Sequence, residues 1–226
     1  MSSFLLVPGA CHGGWWYQPL VTELERNSHQ AEALTLAGLG PEGMAGAGHV
    51  SLASHVAEVT AAVSAASDRS GEDVVLVGHS YGGSVITGAA DQVPDRVRAL
   101  VYLDAFVPDH GDSCWSMTND EQRHWYIDGA GRTGVAVEPL PFFDPQARPH
   151  PLATLVQRST LTGAWQTVPS KTYVAATGWP QGSTSPFTNT TSRLAPNSAW
   201  TVHQWDTRHN VLHDGPQRLL DLLLSI

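Results

Sequence analysis

The chain has 226 residues, 42% of them hydrophobic, and a formal net charge of −9. That length suits one α/β domain with a full core, and the acidic balance, with no Lys/Arg-rich run, argues against nucleic acid and anionic membrane surfaces as partners. Cys11 and Cys114 are too few for a disulfide framework and wrongly spaced for zinc, no apolar run approaches a membrane span, and the N-terminus enters a strand without a signal-like segment, so a reducing cytoplasm is the expected compartment.

In chain order, residues 4–7 (FLLV) read as a first strand, 15–26 as an amphipathic helix and 31–36 as a second strand. A Gly/Ala-rich loop over 37–49 leads to a helix at 51–67, a β-branched strand at 74–77 (VVLV), a small-residue helix over 82–90 and a strand at 100–103 (LVYL). Between 108 and 169 the βα rhythm breaks into prolines and aromatics, which reads as a cap inserted over the sheet's edge. Strands resume at 172–176 and 200–204, and a helix over 214–224 closes the chain, with Asp214 or a neighbour as its cap and Pro216 in its first turn. The alternation implies a mostly parallel sheet with helices on both faces, its core made of residues 1–107 and 170–226.

The chemistry centres on Gly78-His79-Ser80-Tyr81-Gly82-Gly83. A bare G-x-S-x-G match is weak, but here a strand precedes it and a helix follows. A tight strand-to-helix turn forces its central residue into strained backbone and projects the hydroxyl at the sheet's edge, which makes Ser80 a candidate nucleophile. A serine needs a base, an orienting acid and an oxyanion site. Of the tail histidines, His203 falls within the last strand and His213 at the helix entrance, whereas His209 lies in the loop that can swing over the sheet's carboxyl edge. No Asp or Glu occurs from 145 to 205, so the common position for the acid is vacant; Asp104, directly after the strand at 100–103, takes the role, with Asp206 as runner-up.

The backbone N–H of Tyr81, which follows the nucleophile, supplies one oxyanion donor. Ala10, at the crest of the Gly-rich loop VPGACHGGWW, is the candidate for the other. His12 beside that loop, Phe106, and Trp115 and Trp125 in the insertion are candidate substrate-pocket residues, His12 reading chiefly as a structural hydrogen-bonder.

Pro8-Gly9-Ala10-Cys11-His12-Gly13-Gly14-Trp15, together with Gly78-His79-Ser80-Tyr81-Gly82-Gly83, Leu103-Asp104-Ala105-Phe106-Val107-Pro108 and Thr207-Arg208-His209, resembles the α/β-hydrolase superfamily. Within it the likeness is to the branch of plant methylesterases and hydroxynitrile lyases with their bacterial esterase relatives, and it is weakest in the insertion. The resemblance implies an α/β-hydrolase fold, a triad in the chain order Ser80, Asp104, His209, an oxyanion hole of Ala10 and Tyr81 amides, a mobile cap, and no cofactor or metal. Three departures stand out. The plant enzymes take their acid from after the later strand, the lyases need a lysine after the catalytic histidine and a threonine in the oxyanion loop where this chain has Asn210 and Gly9, and Arg208 stands where the family usually has glycine. Cyanohydrin cleavage is therefore disfavoured. Hydrolysis of a small apolar or aromatic carboxylic ester leads; a non-hydrolytic cyclase or lyase, or a ligand-binding receptor on the same fold, is the alternative.

Overall fold

The computed structural model describes residues 1–44, 49–180 and 183–226, so the Gly/Ala-rich loop expected over 37–49 falls partly outside the described residues. Among the described residues six strands form the main sheet: β1 (Ser3–Val7), β2 (Gln30–Ala33), β3 (Val74–His79), β4 (Val97–Leu103), β7 (Ser170–Ala176) and β8 (Thr201–Trp205), in the order β2-β1-β3-β4-β7-β8 and parallel at every pairing. The two-residue strands β5 (Ala136–Val137) and β6 (His150–Pro151) pair antiparallel in the insertion. From β1 the chain moves outward to β2 and then returns to the other side of β1 as β3. That reversal opens a crevice at the carboxyl ends of β1 and β3, where open α/β sheets bind their ligands.

The strand period of two divides the buried residues between the faces. Leu5, Val7, Leu76, Leu100, Tyr102 and Tyr173 point to one side, against Val56, Val59 and Val63 of α2 (Leu52–Ser70) and Val85, Ile86 and Ala89 of α3 (Gly82–Gln92). Phe4, Leu6, Val75, Val77, Val101, Leu103 and Val174 point to the other, against Leu20 and Leu24 of α1 (Gln18–Arg26) and Leu219 and Leu223 of α9 (Pro216–Leu224). Ser51 caps α2 by accepting from the Ser54 N–H in a capping box, and Gly71 ends the helix at φ +70°.

Several elements run two or three residues beyond the sequence reading, among them α2 to Ser70 and β4 from Val97, and three boundaries differ for a visible reason. The first helix begins as a 3-10 turn, Gly14–Tyr17, and becomes α-helical only at Gln18. β2 stops at Ala33 instead of 36, because the Gly-rich loop after β1 crosses it: a Cβ on Gly14 would stand 2.3 Å from the Ala33 carbonyl, and Gly14 N–H donates to Thr35 Oγ1 (2.8 Å). The closing helix starts at Pro216 with no side-chain cap at Gly215; Asp214 instead ends the short α8 (Val211–Asp214), its carboxylate occupied elsewhere.

Between β4 and β7 lie α4 (Cys114–Met117), α5 (Asp120–Ala130), the β5-β6 ribbon and α6 (Leu152–Val156), followed by a 3-10 turn at Ala164–Thr167. That last turn is fastened to the core: the Asp91 carboxylate at the end of α3 accepts from the N–H groups of Thr162 (2.6 Å), Gly163 (2.9 Å) and Trp165 (3.2 Å). α7 (Thr188–Leu194) follows β7.

Candidate active site

Ser80 sits one residue past β3 at φ +52°, a left-handed backbone that side-chain-bearing residues rarely hold. Close packing enforces it. A Cβ on Gly82 would come within 2.3 Å of Val7 O, and one on Gly83 within 2.2 Å of Phe106 O, so the first turn of α3 can approach β1 and the post-β4 chain only because these positions lack side chains. Phe106 N–H donates to Ser80 O (3.1 Å) and Ser80 N–H to Leu103 O (3.3 Å), tying the elbow to the end of β4.

One residue past β4, Asp104 repeats the device at φ +42°. Its N–H donates to Val174 O (2.7 Å), its Oδ1 accepts from Ala176 N–H (3.2 Å), and its Oδ2 lies 2.8 Å from His209 Nδ1. The carboxylate is 1% exposed, so it cannot be left unpaired without cost, and the imidazole is its partner. This contact places the proton on His209 Nδ1 and leaves Nε2 as a lone-pair acceptor. Asp206 is exposed and has no hydrogen bond to His209.

His209 comes from the loop between β8 and α8, and other rings surround it: His79 at 4.5 Å between centroids, Trp179 at 5.2 Å and Phe187 at 5.4 Å, the last stacked. His79 Nε2–H donates to the His209 carbonyl (3.0 Å), joining the elbow to the histidine loop. Burial drives His79 far below the ordinary imidazole range, so it stays neutral beneath His209. Among the described residues Ser80 Oγ has no hydrogen-bond partner; such contacts are often long before substrate binds and tighten in the Michaelis complex.

The Gly-rich loop reaches the elbow directly, since a Cβ on Gly9 would stand 3.0 Å from Ser80 Cβ. Among the described residues neither Ala10 N–H nor Tyr81 N–H has an acceptor. His12 Nδ1–H donates to Ala10 O (2.7 Å), and its ring lies among Trp15, Trp16 and Phe143. No described group of three or more His, Cys, Asp or Glu could hold a metal ion, and no described helix is long and apolar enough to cross a membrane.

The model of the alpha/beta hydrolase family matches residues 4–222. The chain belongs to the alpha/beta hydrolase family. This hydrolase is 32% identical to the carbendazim hydrolyzing esterase of Nocardioides sp. (strain SG-4G) over the whole of both chains. It is 36% identical to methylesterase 2 of Arabidopsis thaliana over 47% of its own length and 40% of the relative's. A solved extracellular alpha/beta-hydrolase from a Paenibacillus species, described as sharing structural and functional homology with tobacco salicylic acid binding protein 2, superposes with a TM-score of 0.79 over all of this chain and 98% of the other at 22% identity, which speaks to the fold. The hydrolase is thus of the carboxylesterase type.

The pocket candidates separate in the structure. His12 stands at the Gly-rich loop, and Trp125 reaches it only through Phe143, at 6.0 Å, while its Nε1–H donates to Glu138 O. Phe106 is buried behind Phe187 (4.9 Å), and it is Phe187 that faces His209. Trp115 instead lines a shallow apolar hollow of about 520 Å³ with Tyr126, Ile127 and Leu152, apart from Ser80 and His209. Arg208 is exposed and forms a bidentate pair with Asp214 (2.9 and 2.6 Å). Trp16, Trp179 and Phe187 also approach His79 or His209, and no local pattern marks them, because their approach depends on loops whose paths carry no sequence signature. His79 stands inside the quoted motif, yet nothing in the motif tells that its ring lies under His209.

Proposed function

We propose that this hydrolase cleaves a carboxylic ester of a small apolar or aromatic compound through an acyl-enzyme on Ser80. His209 Nε2 takes the hydroxyl proton as Ser80 Oγ bonds to the ester carbonyl carbon. The carbonyl oxygen becomes an oxyanion between the Ala10 and Tyr81 N–H groups. Collapse breaks the bond to the alkoxy oxygen, which leaves as the alcohol with the proton from His209. A water deprotonated by His209 then attacks the acyl-enzyme, and the acid departs as Ser80 recovers its proton. Asp104 holds the Nδ1–H tautomer and offsets the imidazolium charge.

The observation that carries this reading is the buried Asp104–His209 contact at the same sheet edge as a positive-φ serine. The two unpartnered amides beside Ser80 support the oxyanion site, and the rings of Trp16, Trp179, Phe187 and Phe143 support an apolar or aromatic substrate. The insertion over 108–161 supplies the lid, with Phe143 its nearest ring to His12; the end of the expected cap, 162–169, belongs with the core because Asp91 binds it there.

The test is a panel of aryl acetates, methyl esters of aromatic acids, and carbendazim, assayed for multiple turnover with purified protein. Turnover of aryl or methyl esters, abolished by Ser80→Ala, is the expected result. Binding without turnover across the panel would replace the esterase by a receptor, and conversion to a non-hydrolysed product would replace it by a cyclase or lyase.

A further inference from the structure

Two histidines outside the triad lie buried behind the oxyanion site, and their hydrogen bonds fix their tautomers. His55, on α2, has Nε2 at 2.9 Å from Ala37 O, which can only accept, so Nε2 carries the proton and Nδ1 accepts from Tyr81 OH (2.8 Å). His150, on β6, accepts from Cys11 N–H at Nδ1 (3.2 Å). Its Nε2–H donates to Thr154 Oγ1 (2.9 Å), whose own hydroxyl proton goes to Pro151 O (2.8 Å). Every proton in this second chain has one destination. Burial drives His150 well below the ordinary imidazole range, with His55 and His12 adding to the shift, so its Nδ1 lone pair stays available.

Cys11 follows Ala10 and adopts φ +67°, a strained conformation for a non-glycine residue that persists only where surroundings over-determine it. The insertion holds all three of its polar groups. N–H goes to His150 Nδ1, C=O accepts from Arg148 N–H (2.9 Å), and Sγ lies 3.9 Å from Val137 O. The His150 ring also meets the Tyr81 ring edge-on, at 4.6 Å. One imidazole from the insertion therefore touches both residues adjoining or supplying the two unpartnered amides.

We propose that His150 is a positioning residue: by accepting the Cys11 N–H it locks the Gly-rich loop in its left-handed turn and aims the Ala10 amide at the developing oxyanion. The inference rests on the esterase reading above. With the acceptor lost, the Cys11 peptide relaxes toward ordinary φ and the Ala10 amide turns with it. The amide matters most when charge develops on the carbonyl oxygen, so the loss falls on kcat and not on ground-state binding.

The experiment compares kcat and KM on an aryl acetate, affinity for an aryl trifluoromethyl ketone that forms a tetrahedral adduct with the serine, and affinity for a product carboxylate. His150→Leu and His150→Gln, which remove or displace the acceptor, lower kcat by about 10- to 100-fold, a fraction of the loss of a whole oxyanion donor. Ketone affinity falls by the same factor, while KM and carboxylate binding change less than about threefold. His150→Asn, whose Oδ1 falls near the place of Nδ1, recovers most of the loss. Thr154→Ala, a milder change that strands only the Nε2–H, lowers kcat by about 3- to 10-fold with the same split and decides the matter if the His150 variants do not fold. Equal activity in Leu, Gln and Thr154→Ala variants, a loss confined to KM, or an Asn variant no better than Leu overturns the proposal. If wild-type protein turns over the ester and forms the adduct, those results overturn the positioning role alone; if it does neither, the esterase reading itself fails.

Discussion

The two sides of the crevice are built by opposite means. On the strand side, Ser80 and Asp104 each stand one residue past a buried strand at positive φ, fixed by backbone bonds and by glycines that admit the neighbouring chain to within contact distance. On the loop side, the His209 side chain is 30% exposed and is steered by one carboxylate, the His79 imidazole, two further aromatic rings, and an Arg208–Asp214 pair whose arginine is solvent-facing. Ser80 and Asp104 are held by covalent geometry and close packing, whereas His209, the proton carrier of the proposed mechanism, is held by contacts that can adjust. A base that moves a proton between two partners tolerates small displacements better than a nucleophile that must meet a carbonyl carbon in line.

This difference governs the expected effects of substitution. The largest is Ser80→Ala, which lowers kcat by on the order of 10⁶, as loss of a triad nucleophile does elsewhere, with the folded structure retained by circular dichroism. Next is Asp104→Asn, which spoils the tautomer of His209 and costs on the order of 10⁴ in kcat, while Asp206→Asn keeps kcat within about twofold. Similar losses in both would mean that His209 is held by its loop and not by the strand side. On the strand side, Gly82→Ala forces a Cβ against Val7 O and lowers stability by about 1–3 kcal/mol or more in urea titration, as overpacking does.

The buried histidines give the protein an acid-sensitive interior. Burial pushes His55 down to about 4, below its unfolded value of about 6.5, so between those values the unfolded chain binds the extra proton. Stability from this group is complete above about pH 6.5 and is lost as pH falls toward 4. His79 and His150, also depressed by burial, act in the same direction. A Tm that rises steadily from pH 4 to pH 6.5 checks the sign; a flat profile would mean that these rings titrate freely. A small effect also belongs to the loop side: Arg208→Ala removes an ion pair whose arginine is largely exposed and changes kcat by less than about fivefold.

The same contrast explains what the sequence made legible. The β-branched run before Gly78 and the glycines after Ser80 are there because the backbone demands them, so the elbow could be read residue by residue. Asp104 could be found because no carboxylate occupies 145–205. Where position depends on contacts between distant segments, nothing local reports it. His55 and His150 look like ordinary helix and loop histidines, and their meeting around Tyr81 follows only from the crossing of α2 and the insertion. Asp214, two residues before the prolyl start of α9, reads as a helix cap, but Arg208 six residues upstream competes for its carboxylate with two charge-assisted bonds and prevails. Trp115 read as pocket wall from composition alone, and composition does not say which side of a cap an aromatic faces.

The central claim is that Ser80 is the nucleophile and that His209, held by Asp104, activates it. The most direct measurement is the rate and site of covalent labelling by an aryl fluorophosphonate, followed by intact mass and peptide mapping, in wild type and in Ser80→Ala and His209→Ala proteins. The account predicts one label per chain on the Ser80 peptide of the wild type, none in Ser80→Ala, and labelling slowed by about 10³-fold or more in His209→Ala. Labelling that persists in Ser80→Ala, or that maps to another residue, would contradict it.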